Sequence, residues 1–128
     1  MKNTPTYYNR DMRYGSVARR NFKIRKGLFK TGLVQDHHVI PRQFKEHPIV
    51  RKTGFDVNAS ENIIMMPTPV GKLVMRVRVD RLTHGYGHQE YNAYVKRMLD
   101  CIVTNDELTQ FRDHLKRCIR FYPHHVPW

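Results

Sequence analysis

With 128 residues the chain has room for one domain and one core, since chains divide into separate domains only well beyond roughly 150 residues. Its 23 Lys and Arg face 11 Asp and Glu, and the resulting +12 favours a polyanionic partner by contact energy and by steering. No apolar run approaches the roughly 18 to 20 residues of a spanning helix, which excludes a transmembrane segment and sets nucleic acid ahead of an anionic lipid surface.

The chain opens Met1-Lys2-Asn3-Thr4-Pro5 without the apolar stretch of a secretory leader, so an intracellular location, cytoplasmic or on nucleic acid, is expected. Residues 1–8 read as an extended arm. Across residues 1–35, nine Lys and Arg stand against Asp11 alone, so +8 of the +12 precedes residue 36. Residues 10–29 fit a helix, with a strand from Phe22 to Ile24 nearly as good. Val34 to Ile40 is β-branched at three positions and stopped by Pro41, which marks a strand end or edge. Arg42 to Lys52 suits a helix broken by Pro48, followed by turn chemistry from Thr53 to Asn58. Asn62 to Met66 is a second strand, closed by Pro67 and Pro69. Residues 70–83 read as either strand or helix with a basic face. His88 to Val103 repeats apolar residues at three- and four-residue intervals and is the clearest helix. A second follows from Asn105 or Asp106 to Arg120, with Leu108, Phe111, Leu115 and Ile119 on one stripe. Cys101 and Cys118 form neither a disulfide framework nor a paired-cysteine zinc motif, and both read as free thiols buried on helices.

The histidines carry the chemistry. Phosphodiester hydrolysis needs a base to activate water, a cation to offset charge on the phosphate, and fixed geometry between them. Imidazole serves both tasks near neutral pH. Neighbours on a regular strand face opposite ways, so His37 and His38 can share one site only where the strand bends, bulges or ends, one then on a metal and the other on water. His84 and His88 are four apart, a spacing at which helical side chains meet, and Gly85 and Gly87 make His88 the safer ligand. His47 beside Pro48 reads as structural, His114 as a surface residue, His124-His125 as tail and Tyr91 as packing.

The ordered series His37-His38-Val39-Ile40-Pro41, His47-Pro48, Gly54-Phe55-Asp56-Val57-Asn58, Glu61-Asn62-Ile63-Ile64-Met65-Met66-Pro67 and His84-Gly85-Tyr86-Gly87-His88-Gln89-Glu90-Tyr91-Asn92 resembles the His-Asn-His endonuclease superfamily. Within that ββα-metal superfamily it is most similar to the AHH nuclease family, over about Asp36 to Leu99. The resemblance implies that His38 is the general base, that Asn62 orients it or positions the hairpin, and that His37 and His88, with His84 as a third, hold the metal. Asp36 stands where the signature has alanine; a carboxylate beside the ligand is able to add to metal affinity or to raise the basicity of His37.

The expectation is therefore an α+β chain with a small ββα-metal core, flanking helices and a basic N-terminal arm. It divides into an extension over 1–33, a nuclease core over 34–104 and a packed C-terminal helix and tail over 105–128. The activity implied is that of a metal-dependent endonuclease leaving a 5′-phosphate, on DNA ahead of RNA. Its cofactor is one divalent ion, Mg, Mn, Ni or Zn. Arg19, Arg20, Arg42, Arg76, Arg78 and Arg81 are the candidate nucleic-acid contacts. No membrane partner is expected, and an inhibitor or immunity protein is a further partner class that such an enzyme admits. Two competing readings keep the sequence features without turnover: a silent basic packaging protein on the same fold, and a structural zinc site at His37, His84 and His88.

Overall fold

Two five-residue strands set the frame. In the computed structural model, which describes residues 16–83 and 88–128, β1 (Val34–His38) runs antiparallel to β2 (Ile63–Pro67), with Val34 opposite Pro67, His37 opposite Ile64 and His38 opposite Ile63. Around the hairpin lie, in chain order, α1 (Ser16–Arg25), α2 (Pro48–Thr53), α3 (Pro69–Val74), α4 (Gln89–Cys101) and α5 (Asn105–Phe121), with short 3-10 turns at Arg42–Phe44, Ser60–Asn62 and Pro123–His125. This is a small α+β arrangement. The expected arm over residues 1–8 lies outside the described residues.

The ladder ends at His38 because its continuation changes partner. The Val39 N–H donates to the Asn62 carbonyl at 2.8 Å, whereas the Ile40 N–H turns to the Asn62 side chain at 2.9 Å. Pro41 then offers no donor at all. The first strand thus stops two residues before the expected end, and the second starts one residue later than expected.

All five residues of β2 are buried, which is why it reads as an unbroken apolar run and not an alternation. Ile64 and Met66 share the main core with the helices, while Ile63 and Met65 are buried outside it. Tyr91, Val95 and Leu99 of α4, four residues apart, form a fully buried stripe; burial of such a side chain contributes roughly 1.5 to 3 kcal/mol. On α5 the stripe is Leu108, Phe111, Leu115, Cys118 and Ile119. Its start is fixed by a capping box in which the Thr104 hydroxyl accepts from the Glu107 N–H and the Glu107 carboxylate accepts from the Thr104 N–H.

Four sequence expectations change. Residues 16–25 are helical with no strand at Phe22, because Arg19 and Lys23, one turn apart, both reach Asp36 of β1, at 3.4 and 3.0 Å. Pro48 does not break a helix over 42–52 but starts α2, since a proline at the first helical position gives up only an N–H that has no helical partner. Residues 70–83 resolve into the short α3 and an irregular segment. Thr68 caps α3, accepting from the Gly71 N–H at 3.0 Å and donating to the Gly32 carbonyl at 2.7 Å; a Cβ at Gly71 would strike the Leu33 carbonyl, so this turn docks against the chain entering β1. Cys118 is buried as expected, but Cys101, the last residue of α4, is exposed; neither is bonded to another cysteine. No helix among the described residues is long and apolar enough to cross a membrane.

Candidate active site

The end of β1 sorts the two histidines. His37 turns inward and is 7 % exposed, while His38, the last strand residue, is half-buried on the other side. No bulge is needed, because the strand stops where the doublet stops. Both rings still line one cleft of about 280 Å³, together with Arg42, Gln43, His88 and Asn92.

His88 reaches the cleft from the start of α4. It is the N-cap of that helix and sits in the left-handed region at φ 57°, ψ 24°, a conformation that costs a non-glycine residue on the order of 1 kcal/mol or more and concentrates at functional sites. Its carbonyl accepts from the Asn92 N–H at 2.8 Å, which begins the helix. The His88 ring centre lies 5.8 Å from that of His37, with the planes 63° apart. The Nε2 atoms of both rings are shut off from solvent.

The separation of the two rings is of the size that a shared divalent ion sets. An imidazole bound through nitrogen at about 2.1 Å has its centre about 3 Å from the ion, so two such rings stand roughly 5 to 6 Å apart. The donor type suits borderline transition ions. Among the described residues no group of three or more His, Cys, Asp or Glu gathers in a metal-holding arrangement. His84, the expected third ligand, lies outside the described residues.

A floor of aromatic rings supports the two histidines. Tyr91 is fully buried, its ring centre 5.6 Å from that of His37, and its hydroxyl donates to the Val39 carbonyl at 2.6 Å. Burial drives the phenol well above its ordinary range and keeps it a neutral donor. The packing role expected for Tyr91 therefore holds. Trp128 closes the group at 4.4 Å from the His88 ring, 5.3 Å from His37 and 5.1 Å from Tyr91, its indole N–H donating to the Thr83 carbonyl at 3.1 Å.

Asn62 is fully buried, and its side chain hydrogen-bonds backbone groups and not the His38 ring. Its Oδ1 accepts from the Ile40 N–H, and its Nδ2 donates to the Ile40 carbonyl at 3.0 Å and the Val57 carbonyl at 2.7 Å. It clamps the chain leaving the doublet to the loop that precedes β2. Of the two roles considered for it, positioning the hairpin is the one its contacts serve. The atom that touches the His38 ring is the Oδ1 of Asn58, 3.2 Å from Nε2. Burial, with Arg42 and Arg19 nearby, lowers the His38 pKa below its ordinary 6.5 against the opposing pull of Asn58 and Asp36. That shift favours the neutral ring.

Asp36 departs from its expected part. Its two oxygens go to Arg19 and Lys23 and not to the His37 ring, so the carboxylate that replaces the signature alanine ties α1 to the strand. Arg19 is consequently 8 % exposed and serves that tie. Arg20 is exposed and lies over the Phe29 ring, at 5.1 Å. Arg42 alone of the candidate arginines lines the cleft with the histidines. Arg78 and Arg81 spend guanidinium donors on the carbonyls of Arg120, Ile119 and Met65, gathering the 75–83 segment against the end of α5, with Arg76 exposed beside them.

The remaining histidines are elsewhere. His47 caps α2, its Nδ1 accepting from the Ile49 N–H, and meets the Asp100 carboxylate at 2.7 Å through Nε2; both nitrogens are committed to structure, as expected. His114 is on the surface of α5, within 3.5 Å of the Cys118 sulfur. Gln43 and Trp128 are residues that sequence reasoning missed, and Asn58 and Asn92 stood in the motif series with no role of their own. Only Asn92 carries a local signal, being one helical turn beyond His88.

A family model described as a nuclease family of the HNH/ENDO VII superfamily with conserved AHH matches residues 21–120, which takes in β1, β2, α4 and nearly all of α5. No curated protein and no solved structure matches the chain.

Proposed function

The chain belongs to the AHH nuclease family and is an HNH-type endonuclease, and from that premise we propose that it hydrolyses the phosphodiester bonds of DNA with His38 as general base and a divalent ion on His37 and His88. The observation that carries this reading is the strand end, which sends one histidine of the doublet inward toward His88 and leaves the other in the cleft.

The residues divide the work as follows. Phosphate enters a cleft edged by the exposed Arg42, whose guanidinium suits two phosphate oxygens. His38, neutral at working pH, accepts a proton from the attacking water. His37 and His88 are the residues that would hold the ion, with His84 proposed as a third. When bound, the ion offsets charge on the phosphate and on the departing 3′ oxygen. Asn62, through the Ile40 and Val57 backbone, keeps the doublet and the facing loop in register. Breaking the P–O3′ bond leaves a 5′-phosphate and a 3′-hydroxyl.

The exposed Arg20 and Arg76 extend the positive surface beyond the cleft; such contacts follow the backbone and carry no base sequence. The test is a cleavage assay on supercoiled plasmid, single-stranded DNA and RNA across Mg, Mn, Ni and Zn, beside a folded His38→Ala variant. Ion-dependent cutting of plasmid by the parent and its loss in the variant are expected. Equal cutting by both would remove His38 from the mechanism, and cleavage confined to RNA would reassign the substrate.

A further inference from the structure

We propose that Asn58 is the positioning residue of the general base, fixing His38 in the tautomer that carries its proton on Nε2 and presents Nδ1 to water. This rests on the reading of His38 as the base. A side-chain amide oxygen only accepts hydrogen bonds, so the 3.2 Å contact between Asn58 Oδ1 and His38 Nε2 requires the hydrogen to sit on that nitrogen. A neutral imidazole has one N–H, so the lone pair that can accept a proton is then on Nδ1.

The surroundings show that the contact is built. Asn58 is solvent-exposed, so core packing does not account for its placement. Its backbone is held from both sides. The Asn58 N–H donates to the Asp56 carboxylate at 2.9 Å, and the Ala59 N–H donates to the Asp56 carbonyl at 3.1 Å, closing a turn around it. The Val57 side chain is 3 % exposed, and the Val57 carbonyl accepts from Asn62 at 2.7 Å. The buried asparagine thus secures the loop, and the exposed one, a residue further on, touches the ring. On the loop side the two asparagines act in series, Asn62 holding the Val57 carbonyl and Asn58 touching the ring, while Asn62 also holds the His38 strand through Ile40.

The partner is an amide, not a carboxylate, which decides what it contributes. It sets ring orientation and tautomer without placing a second charge beside the proton acceptor. Hydrogen-bond partners that orient a functional histidine at a metal site typically account for about 10- to 100-fold of its effect.

The experiment compares Asn58→Ala, Asn58→Ser and Asn58→Asp with the parent and with His38→Ala, reading steady-state cleavage and, on metal-free protein at alkaline pH, the ring nitrogen shifts of His38. The turn uses the Asn58 backbone N–H, so all three variants retain it; serine, too short to reach the ring, gives a second reading should alanine fail to fold. Asn58→Ala and Asn58→Ser are expected to lower kcat about 10- to 100-fold with KM within about threefold, and to convert a single Nε2–H tautomer into a mixture. Asn58→Asp, which keeps the acceptor, is expected to hold the tautomer and most of kcat. A parent-like tautomer and kcat in Asn58→Ala, with His38→Ala inactive, would overturn this inference alone. A loss of kcat in all three variants with the tautomer unmoved would reduce Asn58 to a loop residue and overturn it as well. Parent-rate cleavage by His38→Ala would sink the base reading and this inference together.

Discussion

The chain contains the same dipeptide twice, and the two copies are not alike. His37-His38 ends a paired strand, where one ring is buried against His88 and Tyr91 and the other meets Asn58. His124-His125 lies in the 3-10 turn after α5, with both residues exposed, one stacked on Tyr122 at 5.4 Å and the other 3.8 Å from Asp80. A strand puts neighbouring side chains on opposite faces and so gives two adjacent, identical residues two environments. A surface turn leaves both open to solvent. The chemistry of a doublet is set by the backbone that presents it.

That contrast can be broken in several places. The largest effect belongs to His38→Ala, which should reduce cleavage by at least about 100-fold while leaving divalent-ion affinity nearly unchanged. His88→Ala should do the reverse in binding: calorimetric ion affinity should fall by at least about tenfold, with activity falling alongside, and unaltered affinity would remove His88 from the ligand set. Asn62→Ala tests the clamp under the first doublet. It deletes three buried hydrogen bonds and strands the Ile40 and Val57 groups, so denaturant unfolding should show a loss of about 2 to 4 kcal/mol.

Smaller effects sharpen the scaffold on which both doublets rest. Thr104→Ala should cost about 1 kcal/mol by removing the cap of α5. Its partner Glu107 gives a pH signature. The Val103 and Thr104 N–H groups hold this carboxyl below its ordinary 4.5 in the folded chain. A depressed folded pKa means the contribution is complete above the unfolded value and lost as pH falls through the folded one. Thermal melts should therefore separate the parent from Glu107→Gln near neutrality and bring them together in acid. At the bottom of the scale, replacing both His124 and His125 by alanine should leave cleavage unchanged and stability within about 0.5 kcal/mol. A large loss of activity there would show that the second doublet is more than tail.

What could be read ahead of the structure follows the range of the interactions. The two strands and the long helices α4 and α5 were legible because their signals are local: β-branched runs stopped by prolines, and apolar residues at helical spacing. His37, His38 and His88 were legible through their order along the chain. Asp36 was misread because its partners, Arg19 and Lys23, lie 17 and 13 residues away on a helix whose own pattern was ambiguous. Asn58 had the look of a turn residue, and only the hairpin brings it across 20 positions to His38. Trp128 is separated from His88 by the whole of α4 and α5, so no spacing rule could connect them.

That distant tryptophan gives the site a voice of its own. It is the single tryptophan in the chain, and its ring lies 4.4 Å from that of His88. Indole emission responds to charge and to quenchers at such distances, so arrival of nickel or cobalt at the histidine pair should dim the intrinsic fluorescence without any label. One optical signal would then report ion occupancy in real time, free of substrate and turnover, and Trp128→Phe would silence it.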